Sequence, residues 1–296
     1  MSMKISVEVF DERKCHLGEG PTSSGPGNNH VMWVNILENQ VLWRNLETGH
    51  TGSYDTTEHV SFAIPRTQGG EVLGTVSGPV LRDPDGTIHQ LPTRSSVAGD
   101  VDNFPTRWND AKVSRKGDLI LGTMTYDVKP KEAGLYRYTP NSSFLERIVD
   151  DVTLSNGLDW SLKNDAFFYI DTMALSVDRF DLAADGRTIS NRKTMWKVPD
   201  GDPGVPDGMA IDEEDGLWVA FWGGSIIRRF DKNFAITAEI NIPAPNVTSC
   251  VFAGPELDTL IITTAHNGEA DAPPQAGMTF ICKPGVKGVV TNLFPM

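Results

Sequence analysis

The sequence predicts an all-β chain closed into a six-bladed β-propeller, and three observations carry that expectation. First, a strand-like apolar run returns six times: Met32-Trp33-Val34, Val72-Leu73-Gly74, Leu119-Ile120-Leu121, Phe168-Tyr169-Ile170, Leu217-Trp218-Val219 and Leu260-Ile261-Ile262. Anchored at Met32, Glu71, Leu119, Phe168, Leu217 and Leu260, the copies recur at roughly 40 to 49 residues, the spacing of propeller blades. Second, one such unit cannot bury both faces of its small sheet, so successive units must stack, and a closed ring leaves only short edges. Third, the leading segment Ile5-Ser6-Val7-Glu8-Val9 alternates with period 2 but has no unit of its own. It is expected to complete the sixth blade beside Met278-Thr279-Phe280-Ile281. No linker separates the copies, so residues 1–296 are read as a single domain.

Turn signals punctuate the units. Asp83-Pro84-Asp85-Gly86, Arg115-Lys116-Gly117-Asp118, Ala184-Asp185-Gly186 and Glu214-Asp215-Gly216 place glycine where a tight turn needs positive φ. Their acidic residues are read as ordinary hairpin chemistry. Three richer loops, Gly99 to Pro105, Asp127 to Glu132 and His266 to Gln275, are expected on one face around the channel.

With 39 acidic and 26 basic residues the net charge is −13, which argues against a nucleic-acid phosphate backbone as partner. No apolar stretch of membrane-spanning length and no leading signal segment is visible, so no membrane partner is expected and the location is read as cytoplasmic. Cys15, Cys250 and Cys282 are odd in number and lack ligand-like spacing, consistent with a reducing compartment.

The repeat also locates the chemistry. Roughly ten to thirteen residues before each anchor stands a polar residue followed by small or apolar ones. These are Glu19-Gly20-Pro21, Ser61-Phe62-Ala63, Asn109-Asp110-Ala111, Asn156-Gly157-Leu158, Asp207-Gly208-Met209 and Ser249-Cys250-Val251. Positions equivalent by repeat are equivalent by rotation, so these side chains should converge at one end of the channel. Carboxylates and amides meeting there are costly to bury unless paired or bound to a cation. Glu19, Asn156 and Asp207 offer hard oxygen ligands suited to Ca²⁺, Mg²⁺ or Mn²⁺, with Zn²⁺ also accepted by carboxylates. Ser155 and Ser249 lack a Gly-x-Ser-x-Gly elbow and a repeat-equivalent histidine. His16, just ahead of Glu19, reads as strand-end packing. The tryptophans read as core, with Trp108 a candidate wall of the pocket.

Several of these motifs resemble one known family: Leu17-Gly18-Glu19-Gly20-Pro21, Arg107-Trp108-Asn109-Asp110 with Gly122-Thr123-Met124, Ser155-Asn156-Gly157-Leu158, Pro206-Asp207-Gly208-Met209-Ala210 and Asn246-Val247-Thr248-Ser249-Cys250. In order and spacing they are similar to the senescence marker protein/gluconolactonase/luciferin-regenerating enzyme family. That resemblance implies a six-bladed propeller with one divalent cation in the channel, held by Glu19, Asn156 and Asp207. It implies that Asn109 lies at the ion or the substrate, that Arg107 binds substrate oxygens and that Asp207 is the general base. Asp127, by its offset from Arg107, falls where the family has a substrate-contacting Glu. Thr106 departs from the family's frequent Asn, which leaves the sugar open. The resemblance implies hydrolysis of a small sugar lactone, with Ca²⁺ first among the cations. The alternatives are a metal-dependent hydrolase of another ester, such as a phosphotriester, and a non-enzymatic calcium-binding propeller. Oligomeric state is not legible.

Overall fold

The computed structural model describes residues 5–24, 29–97 and 105–296. After β1 (Glu8–Asp11) come β2–β5 (Gly18–Ser23, His30–Asn35, Gln40–Asn45, Thr51–Asp55) and β6–β9 (Val60–Pro65, Glu71–Thr75, Gly78–Arg82, Ile88–Gln90). Next are β10–β13 (Thr106–Val113, Leu119–Thr125, Ala133–Tyr138, Glu146–Val152) and β14–β17 (Ser155–Trp160, Ala166–Asp171, Ser176–Leu182, Ile189–Lys197). The chain then runs through β18–β21 (Val205–Ile211, Leu217–Trp222, Ile226–Phe230, Ile236–Asn241) and β22–β24 (Asn246–Ala253, Thr259–Ala265, Thr279–Cys282). Beyond strands, the described residues carry only short 3₁₀ turns at Ile36–Glu38, Arg94–Ser96 and Thr172–Ala174.

All ladders between these strands are antiparallel, as short connections require. β2–β5, β6–β9, β10–β13 and β14–β17 form separate four-stranded sheets. β18–β21 and the set β22-β23-β24-β1 are joined into one eight-stranded sheet by the single pair Trp222–Asn246. β1 pairs with β24, Glu8 opposite Ile281 and Val9 opposite Phe280, so the leading segment does join the last unit. Its strand starts at Glu8; Ile5 and Val7 instead pack on the neighbouring core.

The first strands touch in sequence: β2 with β6, β6 with β10, β10 with β14, β14 with β18, β18 with β22, and β22 back to β2. Burial follows position within each unit. The second strands β11 and β23 are buried at every residue, whereas the outermost strands β9 and β17 are exposed along most of their length. An inner strand has neighbours on both faces and carries an apolar run, with small threonines filling the rest; an outer edge meets water. Trp33 and Trp218 are completely buried between units, worth about 1.5–3 kcal/mol or more each relative to exposure. Trp108 also packs into this core, edge-on to Tyr136 at 5.6 Å, and lines the pocket beside Arg107 as well. The three cysteines are buried and unbridged, and burial pushes each thiol up to about 12.

The chain's last segment crosses the far ends of other units. Gly288 bridges Asp212, Asn292 donates to the Val113 carbonyl at 3.0 Å, and Phe294 pairs beside Arg66. Of the three predicted loops, Asp127–Glu132 and His266–Gln275 follow β11 and β23, at the end where the first strands begin. Residues 99–104 of the third lie outside the described residues. No helix among the described residues is long and apolar enough to cross a membrane.

Candidate active site and metal centre

Each first strand breaks register with its partner at the polar positions singled out above. The shifts fall between Glu19 and Thr22, Val60 and Ala63, Trp108 and Ala111, Ser155 and Leu158, Pro206 and Met209, and Val247 and Ser249. In every case the first strand carries one residue more than its partner. A bulge of this kind bends the strand and re-aims the side chains beside it. Here it frees Ser61, Asn109, Asn156 and Asp207 from the ladder. In the sixth unit the extra residue is Thr248, because Ser249 pairs with Thr263; the repeat position there shifts by one from that expected. Thr248 Oγ1 donates to the Gly18 carbonyl at 2.6 Å, tying the last unit to the first.

Glycine then lets the first strands crowd together. A Cβ at Gly157 would lie 2.6 Å from the Asp207 carbonyl oxygen, and one at Gly208 would lie 2.2 Å from Ser249 Oγ. Only a hydrogen fits at either place.

Three of the converging side chains form a hydrogen-bonded chain. Arg107 Nη1 donates to Asn109 Oδ1 at 2.6 Å and to the Trp108 carbonyl at 3.0 Å. Asn109 Nδ2 donates to Asn156 Oδ1 at 2.6 Å and to the Ser155 carbonyl at 2.8 Å. Asn156 Nδ2 donates to Thr172 Oγ1 at 2.7 Å, which donates in turn to the Pro206 carbonyl at 2.8 Å. Asn156 is thereby oriented, and the chain ends on the residue before Asp207.

The carboxylates are in a different condition. Glu19 and Asp207 are 5 % and 4 % exposed. Glu19 Oε2 accepts from the Gly20 N–H at 3.0 Å, whereas Asp207 Oδ1 is buried with no hydrogen-bond partner. Burial, and then the Asp110 charge, push the Glu19 carboxyl up to about 8. Burial, then the Glu19 and Asp110 charges, hold the Asp207 carboxyl well above the ordinary range despite Arg107 and the Gly208 N–H. Asp110, half-buried beside them, is pushed up to about 6, with Lys112 and Arg107 opposing. Burial lowers the Arg107 guanidinium below its ordinary value, and the Glu19, Asp207 and Asp110 charges offset only part of that. A buried oxygen without a donor, among acids that burial and mutual repulsion force toward protonation, fits a bound divalent cation. Oxygen-only donors suit a hard ion.

The structure thus brings together Arg107, Asn109, Asn156, Glu19 and Asp207. It does not bring Asp127 into the buried group: its side chain is 60 % exposed and pairs with Lys129 Nζ at 3.5 Å. Three further residues belong to the neighbourhood. Asp110 was legible only as part of a motif. His59 Nδ1 and Tyr126 Oη lie 2.8 Å apart on the rim, and the Arg107 charge acts on both. The signal for them, a polar residue just before or after an axial strand, was too common to single out. A pocket of about 210 Å³ opens beside Thr106 and Arg107, lined also by Ser77 and Arg94. On the other side, a cavity of about 90 Å³ runs past Gly20, Asp110 and Ser249 to Thr291 and Asn292 of the last segment. There Lys112 Nζ donates to Asp159 Oδ2 at 2.5 Å and to the Met209 carbonyl at 2.8 Å.

Residues 17–266, most of the chain, match the family described as SMP-30/Gluconolactonase/LRE-like region. The chain belongs to that family. Among its curated relatives, regucalcin of Danio rerio is 36% identical over 299 aligned residues, covering 96% of this chain and 97% of the relative. A luciferin-regenerating enzyme superposes with a TM-score of 0.89 at 26% identity, covering 99% of this chain and 100% of the other. A calcium-binding protein, regucalcin from Agrobacterium tumefaciens, superposes with a TM-score of 0.90 at 24% identity over 99% of each chain, a likeness of fold.

Proposed function

We propose that the chain is a single six-bladed propeller whose axial site binds one divalent cation and hydrolyses a sugar lactone. The cyclic contacts of the first strands support the ring, and family membership supports the reaction class. One observation carries the site: Asp207 Oδ1, buried and without a hydrogen-bond partner, beside Glu19 and the Arg107–Asn109–Asn156 chain. Glu19, Asn156 and Asp207 would hold the cation, Ca²⁺ before Zn²⁺, Mn²⁺ or Mg²⁺ because every donor is oxygen. Once bound, such an ion supplies Lewis acidity toward a carbonyl oxygen and lowers the pKa of water.

The chain's own residues do the rest. Asp207, as carboxylate, takes a proton from the attacking water as its oxygen bonds to the lactone carbonyl carbon. The ring C–O bond then breaks, and that proton passes to the departing ring oxygen, leaving an open hydroxy acid. Arg107 is fixed through Nη1, and its other N–H groups offer a planar fork to the substrate's hydroxyl or carbonyl oxygens. Asn109 holds Arg107 and Asn156 in register. Asp127 would reach substrate only from the rim. Three buried, unbridged cysteines support a cytoplasmic setting.

A screen of lactones by pH indicator, with and without chelator, tests the reading. Gluconolactone should be hydrolysed far faster than a long-chain acyl-homoserine lactone. A site that hydrogen-bonds hydroxyls rejects analogues lacking them by as much as about 10⁴–10⁵. Chelator should abolish turnover, and added Ca²⁺ should restore it. Equal kcat/KM for both lactones would sink the assignment, and preference for a phosphotriester over both would replace it.

A further inference from the structure

We propose that His16, Glu38 and His266 form a second cation site, suited to a borderline transition ion such as Zn²⁺ and separate from the axial carboxylates. One ligand atom from each lies within 4.8 Å of the other two. The residues come from three places: His16 precedes β2, Glu38 lies in the turn after β3, and His266 follows β23. No spacing in the chain announces them. The closure of the ring places them together, at the end where β2 and β22 begin.

The surroundings hold two of the three in place. Asn35 Nδ2 donates to Glu38 Oε2 at 2.6 Å, and Asn35 Oδ1 accepts from the Leu17 N–H at 3.2 Å, next to His16. The backbones also interlock, the His266 N–H donating to the Cys15 carbonyl at 3.2 Å and the Asn267 N–H to the His16 carbonyl at 2.9 Å. The two imidazole rings sit with centroids 5.0 Å apart. Ligand atoms around a tetrahedral Zn²⁺ lie about 3.3 Å apart, from Zn–N bonds of 2.0–2.1 Å. Small movements of side chains that are half-buried or exposed would close the gap. Two imidazoles and one carboxylate favour Zn²⁺, Co²⁺ or Ni²⁺ over Ca²⁺, the reverse of the axial site's oxygen-only set. Three protein ligands also leave a coordination position to water.

One hydrogen bond opposes occupancy. The Gly268 N–H donates to His266 Nδ1 at 3.0 Å. Coordination through Nδ1 uses the lone pair that accepts this bond, and coordination through Nε2 places a proton on Nδ1. Either way the Gly268 N–H must be released, so its hydrogen exchange reports binding.

The experiment is titration of the Ca²⁺-saturated protein with Co²⁺, followed by visible absorption. One Co²⁺ per chain should bind with d–d bands, and exchange at the Gly268 amide should quicken. His16→Ala and His266→Ala should each weaken Co²⁺ by tenfold or more, and exposed Glu38→Gln, which leaves the fold's interior untouched, should weaken it as well. Asp207→Asn should leave the Co²⁺ spectrum unchanged, so this site and the axial one can fail separately. Absence of Co²⁺ bands in the parent protein, or equal binding by all three variants, overturns the proposal.

Discussion

Asp207 and Asp212 stand on one short stretch of chain, both almost fully buried at 4 % and 0 % exposed, yet they live in opposite conditions. Asp212 Oδ1 accepts from the Glu214 and Gly216 N–H groups at 2.9 and 2.8 Å, and its Oδ2 accepts from Trp218 Nε1 and Arg229 Nε at 2.9 and 2.7 Å. Asp207 Oδ1 has no hydrogen-bond partner at all. Asp118 repeats the first condition, taking a forked pair of bonds from Arg187. A buried carboxylate whose valences are all met holds structure together; one left wanting can still take a ligand. Burial alone does not separate the two roles. Satisfaction does.

The strongest way to break that contrast is to remove each carboxylate. Asp207→Ala and Glu19→Gln should cut turnover at least tenfold with cation saturating. They should also weaken cation binding by tenfold or more, since even groups behind the ligands are worth about 10–100-fold. Circular dichroism should show the fold intact. Asp212→Ala should do the reverse. Leaving Arg229 and Trp218 without their acceptor should cost about 3–5 kcal/mol of stability by denaturant melting, with activity per folded molecule unchanged. A stable Asp212→Ala protein without turnover would erase the distinction.

Next comes Arg107→Ala, which should raise KM for the lactone and leave cation binding in place by calorimetry. Arg107→Lys should not restore the parent value, because a point charge does not reproduce a two-pronged donor. An emptied metal site would reassign Arg107 from recognition to support.

A subtler effect is on stability and pH. The Glu19 carboxyl holds its proton up to about 8 when folded, against an ordinary value of 4.5 when unfolded. The folded form binds more protons between those values, so the cation-free protein should lose stability as pH rises from about 4.5 to 8. Added Ca²⁺ should stabilise most at the top of that window, and Glu19→Gln should flatten the cation-free slope. A melting temperature that rises with pH in chelator would contradict this. The smallest effect is expected at exposed Asp127. Asp127→Asn should stay within about 0.5 kcal/mol of the parent in stability, as surface changes do. A rise in KM matching that of Arg107→Ala would make it a full substrate contact.

Much of this arrangement can be read before any coordinates. All six apolar runs fall in second strands, β3, β7, β11, β15, β19 and β23, because a strand buried on both faces is apolar along much of its length. The polar positions ahead of them fall in first strands for the same periodic reason. The bulges that aim Asn156 and Asp207 inward were not legible, since register belongs to a pair of strands and the sequence shows one at a time. Thr248 rather than Ser249 is the extra residue of β22 for that reason. Trp108 is legible as a pocket wall beside Arg107, whereas its edge-on packing against Tyr136 of β12 is not. The His16–Glu38–His266 group is assembled from distant segments and leaves no local trace.

The pairing of Glu8 with Ile281 has a consequence for how the molecule comes into being. During synthesis the early units can form their own hairpins as they emerge, since those contacts are local. The closing strand must wait, displayed without its partner, until β24 has been made. Phe294 beside Arg66, and the Met296 carbonyl accepting from Arg66 Nε at 2.6 Å, are contacts of the same long range. Glu19 and Asp207, carried by the first and fifth units, can therefore meet only after the fifth unit has been made.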